Sequence, residues 1–430
     1  MRARLSSIRG QAAAGCSPAG LHTTGAQVRV LKRSAYAVVA VALVSTAAGS
    51  AAGARGGGGG QAVKLVLLSE TTGESSQAVP EFANGAELAV DDLKGKVNVT
   101  RIPAPLAASG AQNALLQAFD ARPAGIIGFP ASSQLVPLGP RIGQEGIPFV
   151  SLSAAEEAQK GGPSGADNLF LVRPLNTLIA RQEANYVADL KPKPKRVGML
   201  CVDNPFGTSG CAEAKRILEK ERIRVTVERT NASTATDLTE QALAMQNVDV
   251  IMDFNFPNPL AVFAKQLIDN GIDKPHVDGA SAGISVQSGA IRGKAASNLT
   301  GVDDCVPTKD KRSKVKKWVK EYRKKFGSDP QYNAAETYDA VQMFNAAVKK
   351  AGSTDPAAVI RELRGLDYNG ICTRYKADDT NVLNHAADLI KFDANGGKKI
   401  VRHFTVGELT PPAATTTTAP PTTAPASSAP

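Results

Sequence analysis

The sequence has 430 residues, of which 43% are hydrophobic and 21% charged, and its formal net charge is +10 at pH 7. This length suits two or three ordinary domains with a sizeable core, and the composition excludes a wholly disordered, collagen-like or multi-spanning membrane chain. The basic charge is concentrated, because residues 1–54 contain six basic and no acidic residues and residues 309–325 contain ten basic and two acidic ones. The remainder is slightly acidic, so the sequence does not predict a nucleic-acid-binding protein.

The beginning of the chain has the features of an export signal. Three basic residues at 29–33 precede an uncharged run at 34–54 whose apolar centre is too short to span a bilayer comfortably. The run ends in Ala-Gly-Ala, the small-x-small pattern of signal peptidase sites, and a glycine run follows. We therefore predict a leader at 1–54, a glycine-rich spacer at 55–61, and an exported protein of the periplasm, the cell envelope or the extracellular space. Cleavage of the signal and its retention as an anchor both stay open.

The cysteines fit an exported chain. Cys16 precedes the apolar run, whereas a lipidated cysteine must follow it, so we predict no lipidation at Cys16. The other four, Cys201, Cys211, Cys305 and Cys372, are an even number and indicate two disulfides, for which three connectivities are possible. They form no CxxC pair and the later histidines are scattered, so we predict no metal site. We predict no cofactor either, because no dinucleotide or P-loop glycine motif occurs.

The middle of the chain alternates short aliphatic runs with longer amphipathic stretches. The predicted strands are Lys64–Leu68, Val97–Ile102, Gly125–Gly128, Pro148–Ser151, Arg196–Cys201, Arg224–Glu228 and Val248–Phe254. The predicted helices are Asn84–Leu93, Ala111–Phe119, Leu178–Leu190, Ser209–Lys220 and Pro259–Asn270. Strict alternation predicts an α/β fold with right-handed βαβ units and parallel sheets covered on both faces, and about ten strands favour two sheets over one. After residue 410 the chain is almost entirely Thr, Pro, Ala and Ser, and we predict a disordered tail at 407–430.

The turns that follow the predicted strands indicate a binding site. In open parallel sheets ligands bind beyond the carboxyl ends of the strands. The turns at these ends are 70–76, 129–133, 152–156, 202–206 and 254–258. They are rich in Ser, Thr, Gly and Asn with single aromatics, which suits a small polar ligand held by hydroxyls and helix amides against an apolar wall. Nothing in them requires catalysis.

Five stretches, taken in order, carry a resemblance to a known family. They read VKLVLLSETTG, EFANGAELAVDD, AGIIGFPASSQLVPLGPRIGQEGIPFVSLSA, KRVGMLCVDNPFGTSG and VDVIMDFNFPNPLAVFAKQLIDNG. Together they resemble the extracytoplasmic branched-chain amino acid-binding family of type I periplasmic binding proteins, over nearly all of residues 62–406. The resemblance implies two doubly wound parallel-sheet lobes, joined by three hinge crossings, that close on a small-molecule ligand and deliver it to a membrane ABC permease. It implies lobe one at 62–172 with 307–386 and lobe two at 173–306 with 387–406.

The resemblance also assigns candidate ligand-binding residues in lobe one. Ser132, with Ser133 beside it, matches the serine that binds the ligand carboxylate at the start of a helix, where free amides also favour an anion. Capping of that helix is the alternative reading of Ser132, and both readings can hold together. The next family loop aligns with Ser153, Ala154 and Ala155, and Ala155 stands where the family has threonine.

In lobe two, Phe206 and Phe256 match the two aromatics that close over the ligand. The family fold makes two disulfides plausible. A Cys201–Cys211 bridge would brace the loop that carries Phe206, and Cys305, at the second crossing, would pair with Cys372.

The main departure from the family concerns the acid that pairs with the ligand ammonium. The matching position is Ala280 or Ser281, so the expected carboxylate is missing. A buried ammonium without a carboxylate would cost several kcal/mol, of order 1–7 for an unpaired polar group and more for a charge. Either Asp253 or Asp278 acts as the cation partner from a neighbouring position, or the ligand is not a free α-amino acid; we favour the second reading.

Three alternatives come from other readings of the sequence. The motif GASAG at 279–283 matches a nucleophile elbow, and Asp303 and His385 follow in the order of a serine hydrolase that would use Ser281. The strand before it is too polar for such an elbow, so we predict that the protein is not an enzyme. The basic segment Lys309–Lys325 has apolar residues at helical spacing, so its lysines cover a solvent face that could dock on an anionic envelope surface. A ligand-sensing receptor without a transporter is the third alternative.

Overall fold

The computed structural model describes residues 62–70 and 78–410. The strands in this part of the chain are β1 (Val63–Ser69), β2 (Val97–Pro103), β3 (Gly125–Gly128), β4 (Phe149–Ser151), β5 (Leu169–Leu171), β6 (Arg196–Val202), β7 (Arg224–Asn231), β8 (Val250–Phe254), β9 (His276–Asp278), β10 (Leu299–Asp303), β11 (Asp367–Asn369), β12 (Arg374–Lys376), β13 (Ala387–Phe392) and β14 (Lys398–Phe404). The helices are α1 (Val79–Asp92), α2 (Ala108–Asp120), α3 (Ser132–Glu145), α4 (Asn176–Asp189), α5 (Pro205–Lys220), α6 (Thr239–Ala244), α7 (Pro257–Asp269), α8 (Ala282–Gln287), α9 (Gly293–Asn298), α10 (Ser313–Phe326), α11 (Tyr332–Ala351) and α12 (Pro356–Arg364).

Two main sheets organise these elements. The first sheet has five parallel strands in the order β2-β1-β3-β4-β5. The second sheet has seven strands in the order β14-β13-β10-β9-β8-β6-β7. Its strands β6 to β10 are parallel, whereas β13 runs antiparallel to both β10 and β14. The predicted parallel α/β sheets are confirmed, and the antiparallel hairpin β13–β14 is an addition that the alternating pattern did not predict.

All seven predicted strands are present, most with ends shifted by one or two residues. They were recognisable because β1, β3, β4, β6 and β8 are buried along nearly their whole length and therefore read as continuous apolar runs. The predicted helices are also present, but several begin earlier than predicted. The helix predicted at Asn84–Leu93 begins at Val79, where Pro80 occupies its first turn.

The chain passes between the two groups of elements three times. Helices α1, α2, α3 and α11 pack on the first sheet, with α12 against α11; α4, α5, α6, α8 and α9 pack on the second sheet, with α7 against α6, α8 and α9. The three connecting segments are therefore 172–175, 304–312 and 377–386. We use first lobe and second lobe for the two sheets with their helices; the residue boundaries of the lobes stay a prediction.

The structure contains both disulfides that the resemblance made plausible. Cys201 at the end of β6 is bonded to Cys211 in α5, with a Cα–Cα distance of 6.2 Å. Cys305, in the connecting segment 304–312, is bonded to Cys372 before β12, with a Cα–Cα distance of 5.4 Å. The second bond therefore ties a connecting segment to the first lobe.

The basic segment forms helix α10, as predicted. Its apolar stripe, Val315, Trp318, Val319 and Tyr322, is buried in the core of the first lobe, and Phe326 packs against that core. Most of its lysines are exposed. Docking of this face on an anionic envelope surface stays a prediction.

Most of both chain ends lies outside the residues that the structure describes. The predicted leader, Cys16, the glycine spacer and residues 411–430 lie outside the described residues. The tail predicted from residue 407 starts too early, because residues Val406–Leu409 form a 3-10 helix. The Thr405 hydroxyl and the Glu408 side chain cap this turn, and Leu409 is buried. Among the described helices, none is both long and apolar enough to cross a bilayer.

Close packing of α1 on α11 gives a test of the core. A Cβ at Gly85 would lie 2.2 Å from the carbonyl oxygen of Ala334, so Gly85→Ala must push the two helices apart. We expect a loss of about 1–3 kcal/mol in the free energy of unfolding, measured by urea denaturation. Gly365→Ala is the control, since its Cβ would meet nothing nearer than 3.7 Å, and it should change stability by less than about 0.5 kcal/mol. Equal stability of the two variants would contradict close backbone packing at Gly85.

Candidate ligand cavity

A cavity lies where the carboxyl ends of strands from both sheets meet. It is lined by Ala78, Phe82, Pro130, Ser132, Ala154, Arg173, Phe206, Phe256, Pro257, Ala280, Ser281, Ile284, Tyr332 and Asn333. The space open to the centre of a water-sized sphere is about 50 Å³. That is room for a few water molecules, so the cavity suits a small ligand.

The turn after β3 positions Ser132. Gly128 and Phe129 have φ values of 156° and 52°, and a Cβ at Gly128 would lie 2.3 Å from the carbonyl oxygen of Leu68. This backbone shape is held by Phe129, which is fully buried and stacks on Phe149 with 5.7 Å between ring centroids. Helix α3 begins directly after this turn, and Ser132, the first residue of the helix, lines the cavity.

The neighbouring candidates in the first lobe divide between the cavity and the core. The hydroxyl of Ser153 lies 3.2 Å from that of Ser132, so Ser153 supports Ser132 from behind. Ala154 lines the cavity. Ser133 is half-buried and Ala155 packs in the core; neither lines the cavity. Ala155 therefore does not leave a donor missing from the cavity wall, because its side chain points into the core.

Two aromatic rings form a wall in the second lobe. The rings of Phe206 and Phe256 are stacked, with centroids 5.8 Å apart and an interplanar angle of 13°. Phe206 lies in the first turn of α5, where the Asn204 side chain accepts the N–H of Gly207 over 3.2 Å. The Cys201–Cys211 disulfide spans this loop. Both rings are about nine-tenths buried, so they offer a largely dry apolar surface.

The two candidate cation partners lie beneath the floor of the cavity. Asp278 accepts the backbone N–H groups of Ser281 (2.7 Å) and Ala282 (2.6 Å). Asp253 accepts the side-chain amide of Asn255 over 2.8 Å. Both carboxylates are fully buried and neither lines the cavity. Burial and the nearby charge of Asp253 raise the pKa of Asp278 well above its ordinary value, which favours its neutral form. The structure therefore offers no support for a cation partner at either position.

Ser281 does line the cavity, but it is not part of a catalytic triad. Its hydroxyl donates to the carbonyl oxygen of Asn255 over 2.7 Å. Asp303 is paired with Lys398 over 2.6 Å. The ring of His385 contacts the carbonyl of Ala386 and lies 3.7 Å from Glu336. The three residues of the hydrolase alternative therefore each have other partners.

Sequence reasoning missed Arg173, Tyr332 and Asn333. Arg173 directly follows Val172 at the first connecting segment, a position that the sequence marks only as a crossing. Its Nε and Nη2 donate to the carboxylate of Asp304, Nη2 over 3.1 Å, and its guanidinium lies 4.9 Å from the ring centroid of Tyr332. The general rule that ligands bind after strand ends could have found it, since it follows β5.

A buried ionic cluster surrounds Arg173. Glu336 lies 3.9 Å away, and His385 lies next to Glu336. Burial opposes ionisation of Asp304, but the charge and hydrogen bonds of Arg173 hold its pKa below the ordinary value. Burial, with the charge of Asp304, raises the pKa of Glu336 well above its ordinary value, and burial lowers the pKa of His385. Glu336 and His385 therefore favour their neutral forms, and the ionised pair is Arg173 with Asp304.

One group of potential metal ligands overlaps this cluster. Side-chain atoms of Glu336, Cys372 and His385 lie within 4.8 Å of one another. The sulfur of Cys372 is bonded to Cys305, so it offers no thiolate while the disulfide is intact. The group then supplies two ordinary ligands, too few for a structural zinc site.

Comparisons with known proteins agree with this architecture. A family model described as periplasmic binding protein matches residues 62–398. A leucine-binding protein from Thermotoga maritima MSB8 shares the fold with a TM-score of 0.72 and 19% identity, covering 80% of this chain and 99% of that chain. The substrate-binding protein of a branched-chain amino acid transporter from Streptococcus pneumoniae, solved with isoleucine, has a TM-score of 0.71 and 22% identity over 80% and 99% of the chains. A solute-binding protein of an ABC transporter from R. palustris, solved with benzoate, has a TM-score of 0.71 and 18% identity over 80% and 96%.

Beside the cavity, Glu81 is a buried acid with an unusual pKa. One of its oxygens accepts both the hydroxyl of Tyr322 (3.1 Å) and the N–H of Gln331 (3.0 Å), the residue before the cavity-lining Tyr332. Burial raises the pKa of Glu81 from 4.5 to about 7, although both hydrogen bonds oppose the rise.

This pKa predicts how stability depends on pH. Between pH 4.5 and about 7 Glu81 is protonated in the folded protein and ionised in the unfolded chain, so the free energy of unfolding falls as the pH rises through this window. The raised pKa of Glu81 contributes roughly 3 kcal/mol to the free energy of unfolding at low pH, and this contribution is lost as the pH rises through the window. In Glu81→Gln an amide oxygen accepts the same two hydrogen bonds, so the fall in melting temperature between about pH 5 and pH 8 should become smaller. The exposed Glu240→Gln is the control and should keep the parent slope. A Glu81→Gln slope equal to that of the parent would assign the pH dependence to other groups.

Proposed function

Because the chain belongs to the periplasmic binding protein family, we propose that it is a non-catalytic, extracytoplasmic solute-binding protein that delivers a small ligand to a membrane ABC permease. The observation that carries the proposal is the cavity, since both lobes contribute to its wall at the carboxyl ends of their strands. A ligand in such a cavity contacts both lobes at once and therefore stabilises their closed arrangement.

Contacts between the lobes support closure around the cavity. The hydroxyl of Tyr332, in the first lobe, donates to the carbonyl oxygen of Ala280 in the second over 2.9 Å. The side-chain amide of Gln331 donates to the carbonyl oxygen of Gly283, also over 2.9 Å. These bonds join the start of α11 to the turn before α8 and to the first turn of α8, next to the residues that line the cavity. They can form only when the lobes are together.

The residues of the cavity wall restrict which ligands can bind. The structural neighbours include a leucine-binding protein, an isoleucine complex and a benzoate complex, so proteins with this fold bind different ligands. The residues of the cavity wall must therefore determine which ligand binds. Among the described lining residues there is no carboxylate. The ammonium of a free amino acid would be buried there without a counter-ion, which is unfavourable. We propose a neutral or anionic amphipathic ligand whose apolar part faces Phe206 and Phe256.

Closure on ligand tests the proposed function. A metabolite library is screened by thermal shift, and hits are examined by small-angle X-ray scattering. We expect at least one hit to raise the melting temperature and to reduce the radius of gyration, because ligand binding favours the closed lobes. Turnover of a hit that is lost in Ser281→Ala would instead support the hydrolase alternative. A library without any closing ligand would contradict the proposal.

Ser132 provides a second test. Ser132→Ala removes the cavity hydroxyl and should weaken binding of a closing ligand by about 0.5–1.5 kcal/mol for a neutral hydrogen bond, or about 1.5–3 kcal/mol if the bonded ligand group is charged. Ser297→Ala, on the exposed face of α9, is the control and should leave the affinity unchanged. Isothermal titration calorimetry measures both variants. Equal affinities for the two would remove Ser132 from the ligand site and leave it as a residue of the helix start alone.

A further inference from the structure

We propose that the ligand is a small monocarboxylate with an apolar body and no ammonium group, and that Arg173 binds its carboxylate. This inference rests on the proposed function and names the ligand class of the same cavity. It is carried by the charge of the wall, the free donor of the guanidinium and the apolar surface around it.

The wall of the cavity has one kind of formal charge. Of the fourteen lining residues in the described part of the chain, Arg173 alone is ionised; the others are apolar, aromatic, hydroxyl or amide residues. A ligand carboxylate therefore meets a cation and no anion at the wall. A ligand ammonium finds no carboxylate there, because Asp304, the partner of Arg173, does not line the cavity. Charge thus favours an acid and disfavours an amine in the same space.

The guanidinium has a donor left for the ligand. Two of its nitrogens, Nε and Nη2, donate to Asp304. The third, Nη1, has no acceptor among residues 62–70 and 78–410, and Arg173 lines the cavity. Because Asp304 already holds the plane of the guanidinium, Nη1 is oriented before the ligand arrives and loses little freedom on binding. A hydrogen bond from a guanidinium to a carboxylate is charge-assisted and about twice as strong as a neutral one.

The other charges around Arg173 do not cancel this preference. Asp304 balances the guanidinium, and Glu336, the second acid within reach, favours its neutral form because it is fully buried. His385 is likewise neutral. A ligand carboxylate at Nη1 is therefore not opposed by a second ionised acid of this cluster. Behind the guanidinium the ring of Tyr332 adds a favourable cation–π contact.

The other lining residues determine the size and polarity of the part of the ligand beyond its carboxylate. Phe82, Phe206, Phe256 and Ile284 are apolar, and the cavity is small. Ser132 and Asn333 are the polar residues that can bond to a second ligand oxygen. A short aliphatic or single-ring acid fits this combination, whereas a sugar or a polyamine does not.

The test compares ligands with one carbon skeleton and different charges. Leucine carries both an ammonium and a carboxylate, 4-methylpentanoate carries the carboxylate alone, and 4-methylpentanamide carries neither. Benzoate and benzamide repeat the comparison with an aromatic body. By calorimetry we expect one or both acids to bind at least about tenfold more tightly than the matching amide, the ratio expected for a charge-assisted bond, and leucine to bind more weakly than 4-methylpentanoate.

The outcomes separate this inference from the proposed function. An amide that binds as tightly as its acid, or leucine that binds more tightly than 4-methylpentanoate, would overturn the role of Arg173 as the carboxylate site. Failure of all five compounds, while another library compound closes the lobes, would overturn the ligand class and leave the proposed function intact. Absence of any closing ligand would overturn the proposed function itself.

Variants test whether the guanidinium of Arg173 causes the preference for the acid over the amide. Asn333→Asp adds an anion to the wall without touching the Arg173–Asp304 pair, and it should weaken binding of the acid at least about tenfold while changing binding of the amide less than about threefold. The double variant Arg173→Gln/Asp304→Asn replaces both charges together, so no buried charge is left unpaired. If circular dichroism shows it folded, its acid and amide affinities should be equal within about threefold. Arg224→Gln, an exposed arginine on β7, controls for net charge and should keep the parent preference. If the double variant does not fold, unchanged acid binding in Asn333→Asp is the result that overturns the proposal.

Discussion

A guanidinium can be buried only together with a counter-charge, and this constraint organises the centre of the molecule. Arg173 meets it through Asp304, and the two residues come from different connecting segments, 172–175 and 304–312. His385, from the third connecting segment, belongs to the same cluster through Glu336. The three segments that join the sheets thus meet at one set of electrostatic contacts. Separating them would leave a charge without a partner, so the constraint holds the three connecting segments together.

The cavity follows from this arrangement and from the direction of the strands. Parallel strands end at one edge of each sheet, and these two edges face each other across the cavity. Short turns then decide which side chains enter the space. The tight turn at Gly128 and Phe129 presents Ser132, and the start of α5 presents Phe206. Hydrogen bonds between the lobes, such as the one from Tyr332 to Ala280, depend on the same approach of the edges. The topology of the two sheets therefore positions the polar groups of the site, independently of which ligand binds.

The sequence predicts the parts of this structure that depend on local pattern. Buried parallel strands such as β3 are continuous apolar runs, and their ends were predicted well. Strands β5 and β9 are only three residues long, and in the hairpin β13–β14 strand β13 runs antiparallel to both of its neighbours. The periodicity of the sequence therefore did not predict β5, β9 or the hairpin. The site shows the same division. Ser132, Phe206, Phe256 and Ser281 line the cavity because residues after strand ends face it. Ser133 and Ala155 are neighbours of lining residues that turn away. Asp253 and Asp278 bond beneath the floor, and Arg173 enters only because the lobes pack around it; no local pattern encodes those directions.

The Arg173–Asp304 pair also divides the cavity wall into residues that are free to change and residues that are not. A substitution within the pair would affect both folding and ligand binding, because the side chain of Arg173 both holds the connecting segments together and lines the cavity. Ala280, Ser281 and Asn333 line the same space without entering the ionic cluster. New ligand preferences can therefore arise by single substitutions at these positions at little risk to folding. An acid at position 280 or 281 would restore a partner for an ammonium. In this fold the evolution of specificity has an accessible route that does not pass through the residues on which the structure depends.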